Sequence, residues 1–224
     1  MTARTIFVTG TDTEVGKTLV STALLRGLRS AGHRAVGYKP VASGCARTPT
    51  GLRNDDALAL QAAGTPGWRY DAINPYAFAE PIAPHVAAAD AGVTVLPDRL
   101  DTGHARLAAA SDWVVVEGAG GWHVPLNAEC DFADWVVGAR WPVLLVVGMR
   151  LGCINHAVLS ARAIRNAGAP LVGWVANLMP PLQPRVEDNL ACLAQVLGVP
   201  PLARIPPMPD AELALNPEPW LARI

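Results

Sequence analysis

The sequence predicts an α/β fold, a doubly wound and mostly parallel sheet formed as one domain over residues 1–224. Three observations carry that expectation. Short apolar, β-branched runs alternate with helical patterns along the chain, which is the signature of successive βαβ units. Two of those runs, Asp112 to Glu117 and Pro142 to Val147, are apolar almost throughout, as strands buried on both faces must be. With 224 residues, 51% hydrophobic and 17% charged, the chain can bury a sizeable core, and it contains no repeat, linker or low-complexity segment.

The first strand is the run Thr5-Ile6-Phe7-Val8, and a helix follows with Leu19, Ala23, Leu24 and Leu28 on one face. Between them lies Thr9 to Thr18, reading Thr-Gly-Thr-Asp-Thr-Glu-Val-Gly-Lys-Thr. Strand, glycine-bounded loop and helix are the context of a phosphate-binding P-loop, so the fold is expected to be P-loop NTPase-like. Glycine lets successive N–H groups converge on one anion, and the helix start adds its positive dipole end. Lys17 supplies a compact positive charge for the outer phosphates, and Thr18 a hydroxyl for Mg²⁺. The spacing departs from the usual pattern, which would put glycine at Thr11 instead of Gly10. Asp12 and Glu14 would repel a triphosphate, so they should point away from it, towards metal, water or a cationic co-substrate.

Gly32 should close the first helix, and Arg34 to Lys39 reads as a second strand ending at Pro40. Lys39 then sits at a strand's C-terminal end, the edge where parallel α/β sheets gather their ligands. Lysine usage singles it out too, because among 18 basic residues only Lys17 and Lys39 are lysine. A lysine kept against that bias suits a pocket a planar guanidinium does not fit. Val41 to Gly44, with Ser43, reads as loop, and Asn54-Asp55-Asp56 as a cap before a helix at Ala57. One of the two aspartates is expected to cap that helix, leaving the other open as a metal ligand. Residues 64–95, punctuated by Pro66, Pro75, Pro81 and Pro84, read as a long loop or broken helix covering a site. His85 and His104 have no partner at metal spacing and should hold ordinary surface or core roles.

Glu117 ends its apolar strand where a nucleotide site needs a carboxylate for Mg²⁺, and Gly118-Ala119-Gly120-Gly121 behind it permits close backbone approach. A helix from about Ile154 to Ala167 follows the loop Gly148 to Cys153, its start a second candidate anion site. The last long strand, Leu171 to Asn177, delivers Asn177 to the same edge, where it could hydrogen-bond a base. Ten of the 20 prolines fall between Pro180 and Pro219, so the C-terminal part should be helix interrupted by fixed loops, with a short strand near Leu202 to Ile205.

Composition narrows the partners. A net charge of -1 without a basic cluster argues against nucleic acid and an anionic membrane surface, and the longest apolar run, Trp141 to Met149, is about half a membrane span. Four dispersed cysteines, Cys45, Cys130, Cys153 and Cys192, form no Cys-x-x-Cys pair and read as reduced thiols, so a cytoplasmic location is expected.

Taken together, the blocks resemble one family, dethiobiotin synthetase, the ATP-dependent ring-closing enzyme of biotin synthesis. The resemblance rests on Gly10 to Thr18, Tyr38 to Gly44, Gly51 to Asn54, Phe78 to Pro81, Glu117 to Gly121 and Leu151 to His156, in that order, and spans nearly the whole chain. It implies carboxylation of 7,8-diaminononanoate by CO₂ to a carbamate, activation by the ATP γ-phosphate, and closure to a cyclic urea. By resemblance Thr18, Asp56 and Glu117 would bind Mg²⁺, which selects the second aspartate, and Lys17, Lys39 and Thr13 would be catalytic. Thr13, Lys39 and Ser43 would hold the carbamate, with Pro81 also lining the substrate site. Glu14, Val15, Gly16, Lys17, Thr18, Leu19, Gly118, Ala119, Gly120, Asn177 and the Pro206-Pro207-Met208 loop would contact the nucleotide. The substrate's tail carboxylate would be received by Leu151, Gly152, Cys153, Ile154 and Asn155 of a partner subunit, so a homodimer is implied. Leu178, where a typical member has aspartate, and the Pro-Pro-Met loop depart from the family pattern around the base. The alternatives are another P-loop ligase or amidase, or a regulatory switch. With lysine only at 17 and 39, no Asn-Lys-x-Asp guanine motif exists, and residues 10–16 lack the extra lysine of partitioning ATPases.

Overall fold

The computed structural model describes residues 3–209 and 212–218. Its frame is a six-stranded sheet of β1 (Arg4–Gly10), β2 (Ala35–Tyr38), β7 (Trp113–Glu117), β8 (Val143–Gly148), β9 (Leu171–Asn177) and β10 (Ala203–Ile205), ordered β10-β9-β8-β1-β7-β2. Every pairing in it is parallel. β7 and β8 are buried at every position, because helices cover both faces and leave no solvated side for polar residues to occupy. The apolar interior runs from Ile6, Phe7 and Val8 through Val114 to Val116 and Leu144 to Val147.

The chain leaves β1 through α1 (Lys17–Ser30) to the sheet edge at β2, and later inserts β7 between them and places β8 on the other side of β1. The order therefore reverses beside β1, and a crevice opens there at the carboxyl ends of the strands. α1 closes as expected: Gly32, at φ 88, follows its last turn, and His33 N donates to Leu28 O. α7 (Cys153–Asn166) packs against β8 and β9 with α8 (Val186–Leu197) beside it.

Several expectations are corrected. Val41–Ala42, read as loop, forms strand β3, which pairs in parallel with β6 (Tyr76–Ala77). β2 stops at Tyr38 because Lys39 turns its backbone elsewhere: its N–H donates to Ile73 O at 2.9 Å and its carbonyl accepts from Asn74 Nδ2 at 2.7 Å. Neither aspartate caps α2 (Asp55–Ala63); Asn54 does, its side chain accepting from Ala57 N at 3.2 Å, and both acids lie in the first turn. The 64–95 segment contains α3 (Tyr70–Ile73), β6 and α4 (Pro84–Asp90) and is not one broken helix. Between β3 and α2 lies an antiparallel hairpin, β4 (Ala46–Thr48) with β5 (Gly51–Arg53). α5 (Pro97–Ala108) and α6 (Phe132–Gly138) complete the fold where the sequence reading named no element. His104 takes a core role, its Nε2 2.8 Å from Thr5 Oγ1 and its ring 4.4 Å from that of Trp141.

Candidate active site

The loop between β1 and α1 owes its shape to its glycines. Gly16, at φ 92, sits where a Cβ would lie 2.3 Å from Asn177 Nδ2, so only glycine fits. Asn177 donates to Val15 O at 3.0 Å and thereby holds the loop down on β9. α1 begins with no side-chain cap and no acid in its first turn, so its first N–H groups stay open towards the loop, as an anion site requires. Lys17 folds back to donate to Asp12 O at 2.9 Å. Burial, and after it the charge of Lys39, push its pKa down to about 8.

Asp12 was expected to face metal, water or a co-substrate. Its partner is Arg150, which follows β8 and forms an ion pair with it, while Asp12 Oδ1 accepts from Thr13 N at 2.8 Å. Glu14, at φ 59, is exposed at the mouth of the cleft.

The parallel register sets β2 beside β7, with Tyr38 level with Val116, so Lys39 and Glu117 emerge side by side at the carboxyl edge. Lys39 Nζ lies 2.7 Å from Glu117 Oε1, 3.1 Å from Asp56 Oδ2 and 3.0 Å from Gly118 O. Lys39 is 4% exposed and Glu117 0%, so this pair is buried, while the Asp56 side chain is 43% exposed. Burial would depress the lysine's pKa, but the Glu117 and Asp56 carboxylates outweigh it and hold the ammonium charged above its ordinary range. For Asp56 burial is the largest single influence and works upward, but the charge and hydrogen bond of Lys39, the Thr18 hydroxyl and the charge of Lys17 together outweigh it, so its pKa falls and the carboxylate stays ionised. Thr18 Oγ1 donates to Glu117 Oε1 at 2.9 Å, leaving Glu117 Oε2 fully buried without a hydrogen-bond partner.

Thr18, Lys39 and Asp56 face a cleft of about 810 Å³, with Glu117 buried behind them. Of the residues named from sequence, Thr13, Glu14, Gly16, Lys17, Thr18, Lys39, Ser43, Asp56, Pro81, Ala119 and Gly120 line it together. Gly118 touches it through Lys39, and Val15 and Leu19 lie behind in the loop and the first turn of α1. Leu151 to Asn155 lie apart, at the start of α7, where Gly152 adopts φ 93 and Leu151 is 94% exposed. Pro206, Pro207 and Met208 follow β10, with Met208 89% exposed. The sequence reading missed Ala42, Asn54, Ile82, Ala83, Pro84 and Val124 as cleft-lining residues. The proline-rich 81–84 run was a signal for the first three of the last four, because a cover must lie over something; Val124 had none. A smaller hollow of 260 Å³ by Arg29, Gln61 and Trp68 holds none of the predicted residues.

A parallel sheet with this strand order, a glycine-shaped loop opening α1 and a carboxylate ending β7 define a P-loop nucleotide-binding α/β protein. A family model described as an AAA domain matches residues 4–213. The ATP-dependent dethiobiotin synthetase BioD of Xanthomonas oryzae pv. oryzae (strain PXO99A) is 56% identical over 208 residues, covering 93% of each chain. The ATP-dependent dethiobiotin synthetase BioD 1 of Salmonella typhi is 55% identical over 200 residues, 89% of this chain and 88% of that one. The chain belongs to the ATP-dependent dethiobiotin synthetase family. Among solved structures, a ParA family ATPase from Chlorobium tepidum TLS superposes with a TM-score of 0.55 at 14% identity, covering 96% of this chain and 90% of that one. The septum site-determining protein MinD from Pyrococcus horikoshii OT3, complexed with Mg-ADP, gives 0.56 at 17%, covering 97% and 88%. At such identities they share the fold alone.

Proposed function

We propose that this protein is the ATP-dependent ligase of biotin synthesis that carboxylates 7,8-diaminononanoate with CO₂ and closes it to dethiobiotin. Its membership of the dethiobiotin synthetase family supports that reading. The observation that carries it is the convergence of two buried lysines, Lys17 and Lys39, with Thr18 and Asp56 on one cleft, Glu117 lying buried behind them in contact with Lys39 and Thr18.

The first step joins an amine to CO₂, forming a C–N bond and releasing a proton to give a carbamate. A carbamate oxygen then attacks the γ-phosphorus as the bond to the β-phosphate breaks, leaving ADP and a carbamic–phosphoric anhydride. The second amine attacks the carbonyl carbon, phosphate leaves with the bridging oxygen, and a proton is lost as the ring closes. Anion must approach anion throughout, so fixed cations between them are the main requirement. Lys17 reaches the outer phosphates from the loop, Lys39 faces the carbamate, and Thr13 and Ser43 offer hydroxyls at either side.

A divalent cation fits the same cleft. Glu117 Oε2 is a buried, unpartnered carboxylate oxygen; the Thr18 hydroxyl bonds the other oxygen of that carboxylate and Asp56 shares Lys39 with it, an all-oxygen set suited to Mg²⁺. Thr18, Asp56 and Glu117 would hold the ion, which would supply charge neutralisation between the phosphates. Lys39 pairs with the same two carboxylates, Asp56 and Glu117, that would hold the ion. Glu14 to Leu19, Gly118 to Gly120, Asn177 and the 206–208 loop form the nucleotide side of the site.

The substrate's tail carboxylate is assigned to Leu151–Asn155 of a partner subunit in a homodimer. Supporting this, α7 starts without a side-chain cap or an acid in its first turn, and Leu151 in the turn before it and Leu159 on it stand 94% and 58% exposed. Among the described residues no helix is long and apolar enough to cross a membrane. The four cysteines are free thiols, which supports placement in the cytoplasm. Phosphate release from ATP and Mg²⁺ tests the reading: release should require both diamine and bicarbonate, and release indifferent to both would contradict it.

A further inference from the structure

Behind the cleft, Tyr70 and Asn74 are buried to 8% and 3% exposure, and the proposed chemistry uses neither. Their hydrogen bonds converge on residues that it does use. The Tyr70 hydroxyl accepts from Asn54 N at 2.8 Å and donates to Asn74 Oδ1 at 2.9 Å. Asn74 Nδ2 in turn donates to Lys39 O at 2.7 Å and to Tyr76 O at 3.0 Å, while Ile73 O takes the Lys39 N–H. On the other side, Asn54 caps α2, whose first turn carries Asp56, and its Nδ2 reaches Ser43 O at 3.4 Å.

We propose that Tyr70 and Asn74 are positioning residues of this enzyme, a junction that fixes Lys39, Asp56 and Ser43 relative to one another. The proposal rests on the functional reading above, which makes Lys39 and Asp56 the groups whose spacing matters. Lys39 lies one residue past the end of β2, where the sheet no longer holds its backbone. Asp56 belongs to a different element, α2, with no ladder to tie it to β2. One phenol oxygen links the two, through Asn54 on one side and Asn74 on the other. The Arg53 guanidinium, 4.3 Å from the centre of the Tyr70 ring, holds the ring itself.

The role is therefore carried by the hydroxyl, with the ring supplying packing. Tyr70→Phe keeps the buried ring and its contact with Arg53 but leaves Asn54 N and one Asn74 acceptor without that partner. Small misplacement of a charged group in a phosphoryl-transfer site lowers turnover more than it lowers ground-state binding.

The test uses the full chain and compares wild type, Tyr70→Phe and Asn74→Ala. Diamine- and bicarbonate-dependent phosphate release should show kcat in Tyr70→Phe reduced about tenfold or more, with KM for ATP changed by less than about twofold. Its melting temperature should stay close to wild type, and its backbone amides should exchange with deuterium faster around Lys39 and Asn54 to Asp56 than elsewhere. Asn74→Ala should give the same split where it folds, and the double variant less than the product of the two losses. A kcat within about twofold of wild type would overturn the proposal, as would a loss shared equally by KM, stability and exchange across the whole chain. If wild-type phosphate release ignores diamine and bicarbonate, the functional reading fails instead. The exchange pattern then still decides whether the hydroxyl ties the two segments together, and unchanged exchange in Tyr70→Phe would reject the junction.

Discussion

At the scale of single residues, the site turns on the replacement of a general cation by a specific one. Lys39 is enclosed by Glu117, Asp56 and the Gly118 carbonyl, and its ammonium meets all three within 3.1 Å. Arginine would keep the charge but would place a wider planar group among them. Lys39→Arg is therefore expected to lower diamine-dependent turnover by about a hundredfold or more while ATP still binds, since Lys17 and the loop remain. Turnover close to wild type, measured beside a nucleotide-binding titration, would remove Lys39 from the chemistry. Much of this was legible in sequence, because a chain with lysine only at 17 and 39 marks both positions and the strand pattern puts the second at the sheet edge. The ion pair of Asp12 with Arg150 was not. It joins residues remote in sequence, and an acid within a phosphate loop signals only that some cation must be near.

At the scale of elements, burial decides what could be read. β7 and β8 are buried at every position, so their residues are apolar almost without interruption and stand out from the chain, as does the Ile6 to Val8 run at the centre of β1. β3 and β6 have two residues each, too few for any period, and exist through their pairing with one another. Asn54, Asp55 and Asp56 are three good capping residues in a row, and which one caps depends on where the backbone turns, which tertiary contacts set. Between β1 and α5, His104 gives an acid-sensitive contact. Burial lowers its pKa from 6.5 to about 4, so between those values the unfolded chain binds a proton that the folded one refuses. Stability is fully present above pH 6.5 and falls as pH drops towards 4, by about 1–2 kcal/mol after allowing for the ring's partial exposure. Thermal melts of wild type and His104→Gln at pH 7 and pH 5 check this: the substituted chain should lose less on acidification, and equal losses would contradict it.

For the whole molecule, the reversal of strand order beside β1 brings the loop, the end of β2 and the end of β7 to one crevice, and that explains how residues 10 to 120 build one site. The start of α7 belongs to the same carboxyl edge but lies apart from the cleft, and is assigned in our proposal to the site of a second subunit. Leu159→Arg, on the exposed side of α7, should shift the protein towards monomer in sedimentation velocity and raise KM for the diamine, leaving ATP binding unchanged. An unaltered sedimentation profile would contradict the proposed dimer contact through α7.

The central claim is that carbon dioxide is fixed as a carbamate whose own oxygen attacks the γ-phosphate. Turnover with oxygen-18 carbon dioxide and unlabelled ATP and water tests it most directly, by mass spectrometry of the inorganic phosphate formed before the label exchanges. One labelled oxygen in each phosphate, appearing with the cyclic urea, is the predicted result. Phosphate carrying no label, at the same rate of ATP consumption, would mean that water attacks the nucleotide and would contradict the account.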